Sequence, residues 1–254
     1  MIKTWNITIP ELTGNEERRA YVYLPDAMED DPDMRCPVLY MFDGHNVFFD
    51  DHATYGKSWG MGDYLDAHEV PLIVAAVECN HSPDHGRLSE YSPFSFQDRR
   101  FGRVTGRGQI TMEWMVQTFK PFIDAHFPTL PDRSHTFIAG SSMGGLMSLY
   151  ALMAYNHVFS RAAALSPSLW CAPGRIEQLI RGAELAPDTV LYMDYGSREM
   201  TGRRTPQQLG RVAGLLLERG VLLDCRVVPG GEHCEASWER QIPFFLNTLL
   251  YELE

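Results

Sequence analysis

Six short, nearly continuous apolar runs recur along the chain at Val38–Phe42, Leu72–Val77, Thr136–Ala139, Ala162–Leu165, Val190–Met193 and Leu222–Val228. Runs of this length lack the strict alternation of a half-exposed strand, so they read as strands covered on both faces. Between them lie stretches of helical period, notably Ile110–His126, Gly144–Tyr155 and Thr205–Arg219. Strand and helix in alternation predict a mostly parallel central sheet with helices on both faces, because parallel neighbours need a crossover long enough to hold a helix. Two earlier segments, Trp5–Ile9 and Arg18–Leu24, alternate apolar and polar residues about a Thr13-Gly14-Asn15 turn. They predict antiparallel strands at the edge of that sheet. No repeat or flexible linker divides the chain, so residues 1–254 are expected to form one α/β domain.

Composition narrows the classes of function. With 44% hydrophobic and 22% charged residues, a chain of 254 residues can bury a core without disulfides or metals. Lys plus Arg number 22 against 33 Asp plus Glu, and the net charge of −11 argues against nucleic acid or an anionic membrane as partner. The five cysteines, Cys36, Cys79, Cys171, Cys225 and Cys234, are scattered and form no C-x-x-C pair, so they read as reduced thiols. No window approaches a membrane span, and the N-terminus runs into a strand pattern instead of a signal peptide; a cytoplasmic location is the expectation. His81-Ser82-Pro83-Asp84-His85 has the outward look of a metal cluster, but Pro83 prevents presentation of both imidazoles from one helical turn. No metal and no cofactor are expected.

Gly140-Ser141-Ser142-Met143-Gly144 fits G-x-S-x-G in the context that gives the pattern meaning, after an apolar strand and before a helix. Such a turn holds its central residue in strained geometry, and Gly140, Gly144 and Gly145 supply the room it needs. Ser142 is therefore the candidate nucleophile, standing at a helix N-terminus that favours developing negative charge. The helix from Gly145 is apolar almost all round, which predicts burial in the middle of the structure.

Around these residues the chain resembles the esterase D and feruloyl esterase group of α/β-hydrolases, the "putative esterase" family. The matching stretches run from Val38-Leu39-Tyr40-Met41-Phe42-Asp43-Gly44-His45-Asn46 through Arg87-Leu88-Ser89-Glu90-Tyr91-Ser92-Pro93 to Phe119-Lys120-Pro121-Phe122-Ile123-Asp124. They continue through the serine turn and Leu165-Ser166-Pro167-Ser168-Leu169-Trp170 to Gly230-Gly231-Glu232-His233-Cys234-Glu235-Ala236-Ser237-Trp238. The resemblance implies an α/β-hydrolase fold and cleavage of small esters, feruloyl and acetyl esters among them. Phe42 and His45 depart from many relatives, which carry His before the Asp-Gly pair and Gln after it.

A serine hydroxyl needs a base, and in this fold the order is serine, acid, histidine. His157 and His233 lie beyond Ser142. His157 reads as a helix-terminal residue, whereas His233 sits on a Gly-Gly loop able to lean over the serine. Two acids follow the run Val190–Met193, and Glu199 is favoured over Asp194 because Gly196 lets the loop bend towards His233 and relatives place their acid shortly after this glycine. The oxyanion hole is expected from the backbone N–H groups of Met143 and His45. Asn46, Arg87, Glu90, Tyr91 and Trp170 are candidates for substrate binding, although Arg87, Glu90 and Tyr91 also suit an internal ion pair steadying a loop. The expected activity is carboxylic ester hydrolysis through an acyl-enzyme, with a small-molecule ester as partner and homo-oligomerisation left open. The rivals are an acyltransferase on the same residues and a hydrolase-like binding protein without catalysis.

Overall fold

The computed structural model describes every residue except Pro32, Thr201, Gly202, Leu253 and Glu254. Ten strands are present among the described residues: β1 (Ile2–Thr8), β2 (Glu17–Tyr23), β3 (Val38–Met41), β4 (Ile73–Val77), β5 (Phe96–Asp98), β6 (Gly102–Val104), β7 (Thr136–Ser141), β8 (Arg161–Leu165), β9 (Val190–Gly196) and β10 (Leu222–Val228). Eight of them form one sheet in the order β1-β2-β4-β3-β7-β8-β9-β10, and β5 pairs only with β6. β1 and β2 run antiparallel to each other and β2 antiparallel to β4, while every pairing from β4 to β10 is parallel. This is the mostly parallel sheet expected from the alternation and the α/β-hydrolase arrangement that the resemblance implies, with the antiparallel pair at one edge.

Burial follows position in the sheet. Every residue of β3, β4 and β7 is buried, because helices cover both faces there. β10 departs from the expectation of a strand covered on both sides: Leu222 and Val227 are 58% and 50% exposed. It is the last strand in the order, with β9 as its only neighbour in the sheet, and its polar Asp224 and Arg226 break the apolar run. Two apolar clusters, one on each face, hold the layers together; Tyr40 and Phe42 project into one, and Leu39 and Met41 into the other. That alternation is the period of two of an extended chain.

The helix Met143–Ala154 is buried from Met143 to Met153, as its unbroken apolar composition requires. The stretch Ile110–His126 is helical throughout, but Met115–Phe119 opens into a π turn before a second α segment, Lys120–His126. Pro121 has no N–H to donate to the preceding turn, and the Lys120 amide reaches back to the Met115 carbonyl instead. Among the described residues no helix is long and apolar enough to cross a membrane.

The contrast between centre and edge is measurable. Leu39→Ala, at a position with no exposed surface, is expected to lower the free energy of unfolding by about 2–5 kcal/mol. Val227→Ala at the exposed edge should change it by no more than about 0.5 kcal/mol. Urea denaturation of both variants checks this, and equal losses would contradict the burial assigned to the two strands.

Candidate active site

Four loops at the carboxyl ends of the parallel strands meet at the serine turn. Ser142 has φ 58° and ψ −115°, a conformation costly for a residue with a side chain. Its backbone is clamped from both sides: its amide donates to the Leu165 carbonyl at 2.9 Å, and its carbonyl accepts the Ser168 amide at 2.9 Å. Glycine at 140 and 145 is a matter of space. A Cβ on Gly140 would lie 2.8 Å from the Gly144 backbone, and one on Gly145 would lie 2.7 Å from the Leu165 carbonyl oxygen.

The loop after β10 carries His233 over the serine, with Nε2 2.9 Å from Ser142 Oγ. On the far side of the ring, Nδ1 donates to Glu199 Oε2 at 2.6 Å. Glu199 lies in the turn after β9, whose amide returns to the Gly196 carbonyl. Gly196 packs so tightly that a Cβ there would lie 2.3 Å from Gly231, which brings the loops after β9 and β10 together. The glycine therefore supplies close approach between two loops.

The second Glu199 oxygen is also satisfied. Oε1 accepts the Gly196 amide at 2.8 Å and the Ser166 hydroxyl at 2.7 Å. Ser166 in turn accepts the indole N–H of Trp238 at 3.0 Å, and the Trp238 ring meets His233 edge-on with centroids 5.1 Å apart. Burial pushes the Glu199 carboxyl up, but the bonds from His233, Ser166 and Gly196 outweigh it and hold the group below the ordinary glutamate value. Asp194, the other candidate acid, is buried at the strand end, accepting Tyr192 Oη–H at 2.8 Å and the Ser166 amide at 3.2 Å. Burial pushes its carboxyl up to about 6. Ser166 and Trp238 belong to the quoted family stretches, yet nothing in their spacing pointed to contact with the acid and the histidine.

The turn after β3 approaches the serine from the other side. Asp43 sits at φ 57°, and a Cβ on Gly44 would lie 2.9 Å from the Val77 backbone, so the turn rests directly on the end of β4. Neither the His45 amide nor the Met143 amide donates to a protein acceptor among the described residues. The His45 side chain is buried, which pushes its imidazole below the ordinary value. Asn46 takes the Thr54 amide at 2.9 Å and donates to Glu235 at 3.4 Å, tying this turn to the His233 loop. Burial raises the Glu235 carboxyl.

Ser142, His233, His45, Asn46, Glu235 and Trp238 border a cleft of about 550 Å³ that also includes Tyr55, Cys79, His81, His85 and Arg87. The segment from Asn80 to Gly108 contributes to it only through its first part; beyond the helix Gly86–Glu90 the chain turns away into the β5–β6 hairpin. The five substrate-binding candidates separate accordingly. Asn46 and Arg87 reach the cleft, although Arg87 is committed to Asp43 through two bonds of 2.7 and 2.6 Å. Glu90 is buried beneath and pairs with Arg18 at 2.6 Å, so it is part of an internal ion pair and does not form the rim. Tyr91 is buried too, its hydroxyl accepting the Asp43 amide at 3.1 Å. Trp170 lies outside the cleft: Phe96 and Phe101 of the hairpin region draw it away, at centroid distances of 5.7 and 6.2 Å. Among the described residues the cleft also gathers His45, Cys79 and His81, which the linear order does not group.

Comparison with known proteins agrees with this fold. The model of a family described as "Putative esterase" matches residues 12–245. The uncharacterised protein YbbA of Bacillus subtilis is 24% identical over 203 residues, covering 75% of this chain and 72% of that one. A solved ferulic acid esterase superimposes with a TM-score of 0.70 at 18% identity, over 98% of this chain and 97% of its own. The siderophore hydrolase EstA from Aspergillus nidulans gives a TM-score of 0.71 at 18% identity, over 98% and 95%.

Asp194 keeps its proton to a higher pH when folded than when unfolded. Its contribution to stability is thus complete below about 3.8 and is lost as the pH rises through about 6. The difference corresponds to about 3 kcal/mol. Relative to Asp194→Asn, the wild type is expected to lose up to that amount between acid and neutral pH. Urea titrations at several pH values measure it, and parallel profiles for the two proteins would count against a protonated Asp194.

Proposed function

Because the chain belongs to the "Putative esterase" family it is a carboxylic ester hydrolase, and we propose that it works through an acyl-enzyme on Ser142 with His233 as base and Glu199 as acid. The observation that carries this reading is the continuous hydrogen-bonded line from Ser142 Oγ through both ring nitrogens of His233 to Glu199. Ser142 Oγ attacks the ester carbonyl while His233 Nε2 takes its proton. The oxyanion of the tetrahedral intermediate is held by the Met143 and His45 amides, which have no protein acceptor among the described residues to give up. The imidazolium returns the proton to the leaving alcohol, and a water activated by the same nitrogen releases the acid. Glu199 stabilises the imidazolium and fixes its tautomer; Ser166 and Trp238 hold Glu199 and the ring in place.

The cleft suggests a small ester with polar substituents. Its walls are largely imidazole, amide and hydroxyl groups, and the Tyr55 ring, at 82% exposure, is its most open aromatic surface. Feruloyl and acetyl esters of sugars fit this description, and a ferulic acid esterase is among the structural relatives.

Ser142→Ala should remain folded and lose about 10⁶ in kcat, since no neighbouring group can replace the hydroxyl. A fluorophosphonate should label wild type once, at Ser142; retention of a tenth of the turnover in the variant would refute the assignment. Glu199→Gln should cost about 10³–10⁴ in kcat with KM little changed. Asp194→Asn should cost far less, and the reverse ranking on a panel of p-nitrophenyl and methyl hydroxycinnamate esters would make Asp194 the acid.

A further inference from the structure

His45, Cys79 and His81 have no side-chain role in ester cleavage, yet they converge at one side of the cleft. His45 comes from the turn after β3, and the other two from the segment following β4. One ligand atom from each lies within 4.8 Å of the other two. The His45 and His81 rings meet edge to face with centroids 4.7 Å apart. His45 Nε2 is engaged with Thr54 Oγ1 at 3.0 Å, whereas its Nδ1 is buried without a hydrogen-bond partner among the described residues. A buried ring nitrogen left empty is costly, so its orphan state points to a ligand.

We propose that His45 Nδ1, Cys79 Sγ and a His81 ring nitrogen form a site for a borderline-soft divalent cation of the zinc class, and that its occupancy inhibits the enzyme. Two imidazoles and a thiol suit zinc and do not suit magnesium or calcium, which take oxygen ligands. The surroundings are those of a metal-binding histidine, whose second ring nitrogen normally donates a hydrogen bond, here to Thr54 Oγ1. The Asp43 carboxylate lies close enough to Cys79 to place negative charge beside the site. Tetrahedral zinc wants its ligand atoms roughly 3.5 Å apart, and separations within 4.8 Å need to close by at most about 1.3 Å. His81 is exposed and can make that movement. On binding, Cys79 gives its proton to solvent and coordinates as thiolate.

Three protein ligands leave a fourth position open, and the residues lie in the cleft that also contains Ser142 and His233. A cation there narrows the approach to the serine and pins the residue whose amide faces the developing oxyanion. The binding stands independently of the esterase reading; the inhibition rests on it.

The test uses the full chain after treatment with a chelator, with zinc chloride titrated against p-nitrophenyl acetate hydrolysis. Cobalt(II) binding is followed in parallel by its thiolate charge-transfer absorption in the near ultraviolet. Wild type should be inhibited reversibly and show the cobalt–thiolate band. Read against its own metal-free rate, His81→Asn should weaken both effects by at least about tenfold, and Cys79→Ser should lose the band. Undiminished zinc inhibition in His81→Asn would place the ion at His233 and Glu199 instead and overturn the proposal, as would the absence of a cobalt–thiolate band in wild type. Cobalt binding without esterase activity would support the metal site while refuting the esterase mechanism.

Discussion

The conformation of Ser142 is the constraint on which the remaining geometry depends. A residue with a side chain at φ 58° and ψ −115° carries a cost of ~1–3 kcal/mol, and it persists only because its surroundings over-determine it. Leu165 and Ser168 grip its two peptide groups; Leu165 ends β8 and Ser168 lies in the connection leaving it. That connection stays in place because β8 lies between β7 and β9 in the middle of the sheet. The buried helix Met143–Ala154 fixes the other side of the turn. Strain at one residue is thus balanced by the packing of two strands and a helix, and removing space at Gly140 or Gly145 would set backbone against backbone.

Ser166 links this arrangement to the histidine. It is itself at φ 43°, its amide donates to the Asp194 carbonyl, and its hydroxyl sits between the Trp238 indole and Glu199. One residue therefore ties the connection that clamps Ser142 to the loop that carries the acid and to the helix that follows His233. The consequence is preorganisation: the line from Glu199 through His233 to Ser142 is held by groups whose own bonds are already made, so little reorganisation remains when charge moves.

The fold was legible because buried parallel strands and crossover helices have different periods, and β3, β4, β7, β8 and β9 all fall on their apolar runs. β10 misled in burial, since an apolar run reports composition and not which strand closes the sheet. The serine turn was legible from its glycines, whose purpose is local. Glu90, Tyr91 and Trp170 were not separable in the linear order. Each stands in a stretch that relatives share, but sharing does not distinguish a side chain in the cleft from one beneath it. Arg18, the partner that draws Glu90 inward, is 72 positions away. The contact of Ser166 and Trp238, also 72 positions apart, was out of reach for the same reason.

The two acids after β9 show how environment assigns roles that residue type cannot. Asp194 and Glu199 are five positions apart and both are partly or wholly buried, yet their carboxyls move in opposite directions. Asp194 has one hydroxyl and one distant amide as donors and no cation within bonding distance, so burial dominates and it tends to keep its proton. Glu199 receives three short bonds, one of them from the ring that becomes positive in the proposed reaction. An ionised carboxylate bonded to the ring favours an imidazolium, and of the two acids it is Glu199 that is held below its ordinary value and bonded to His233. The choice between them thus rests on the number of donors each side chain meets, which the bend after Gly196 decides.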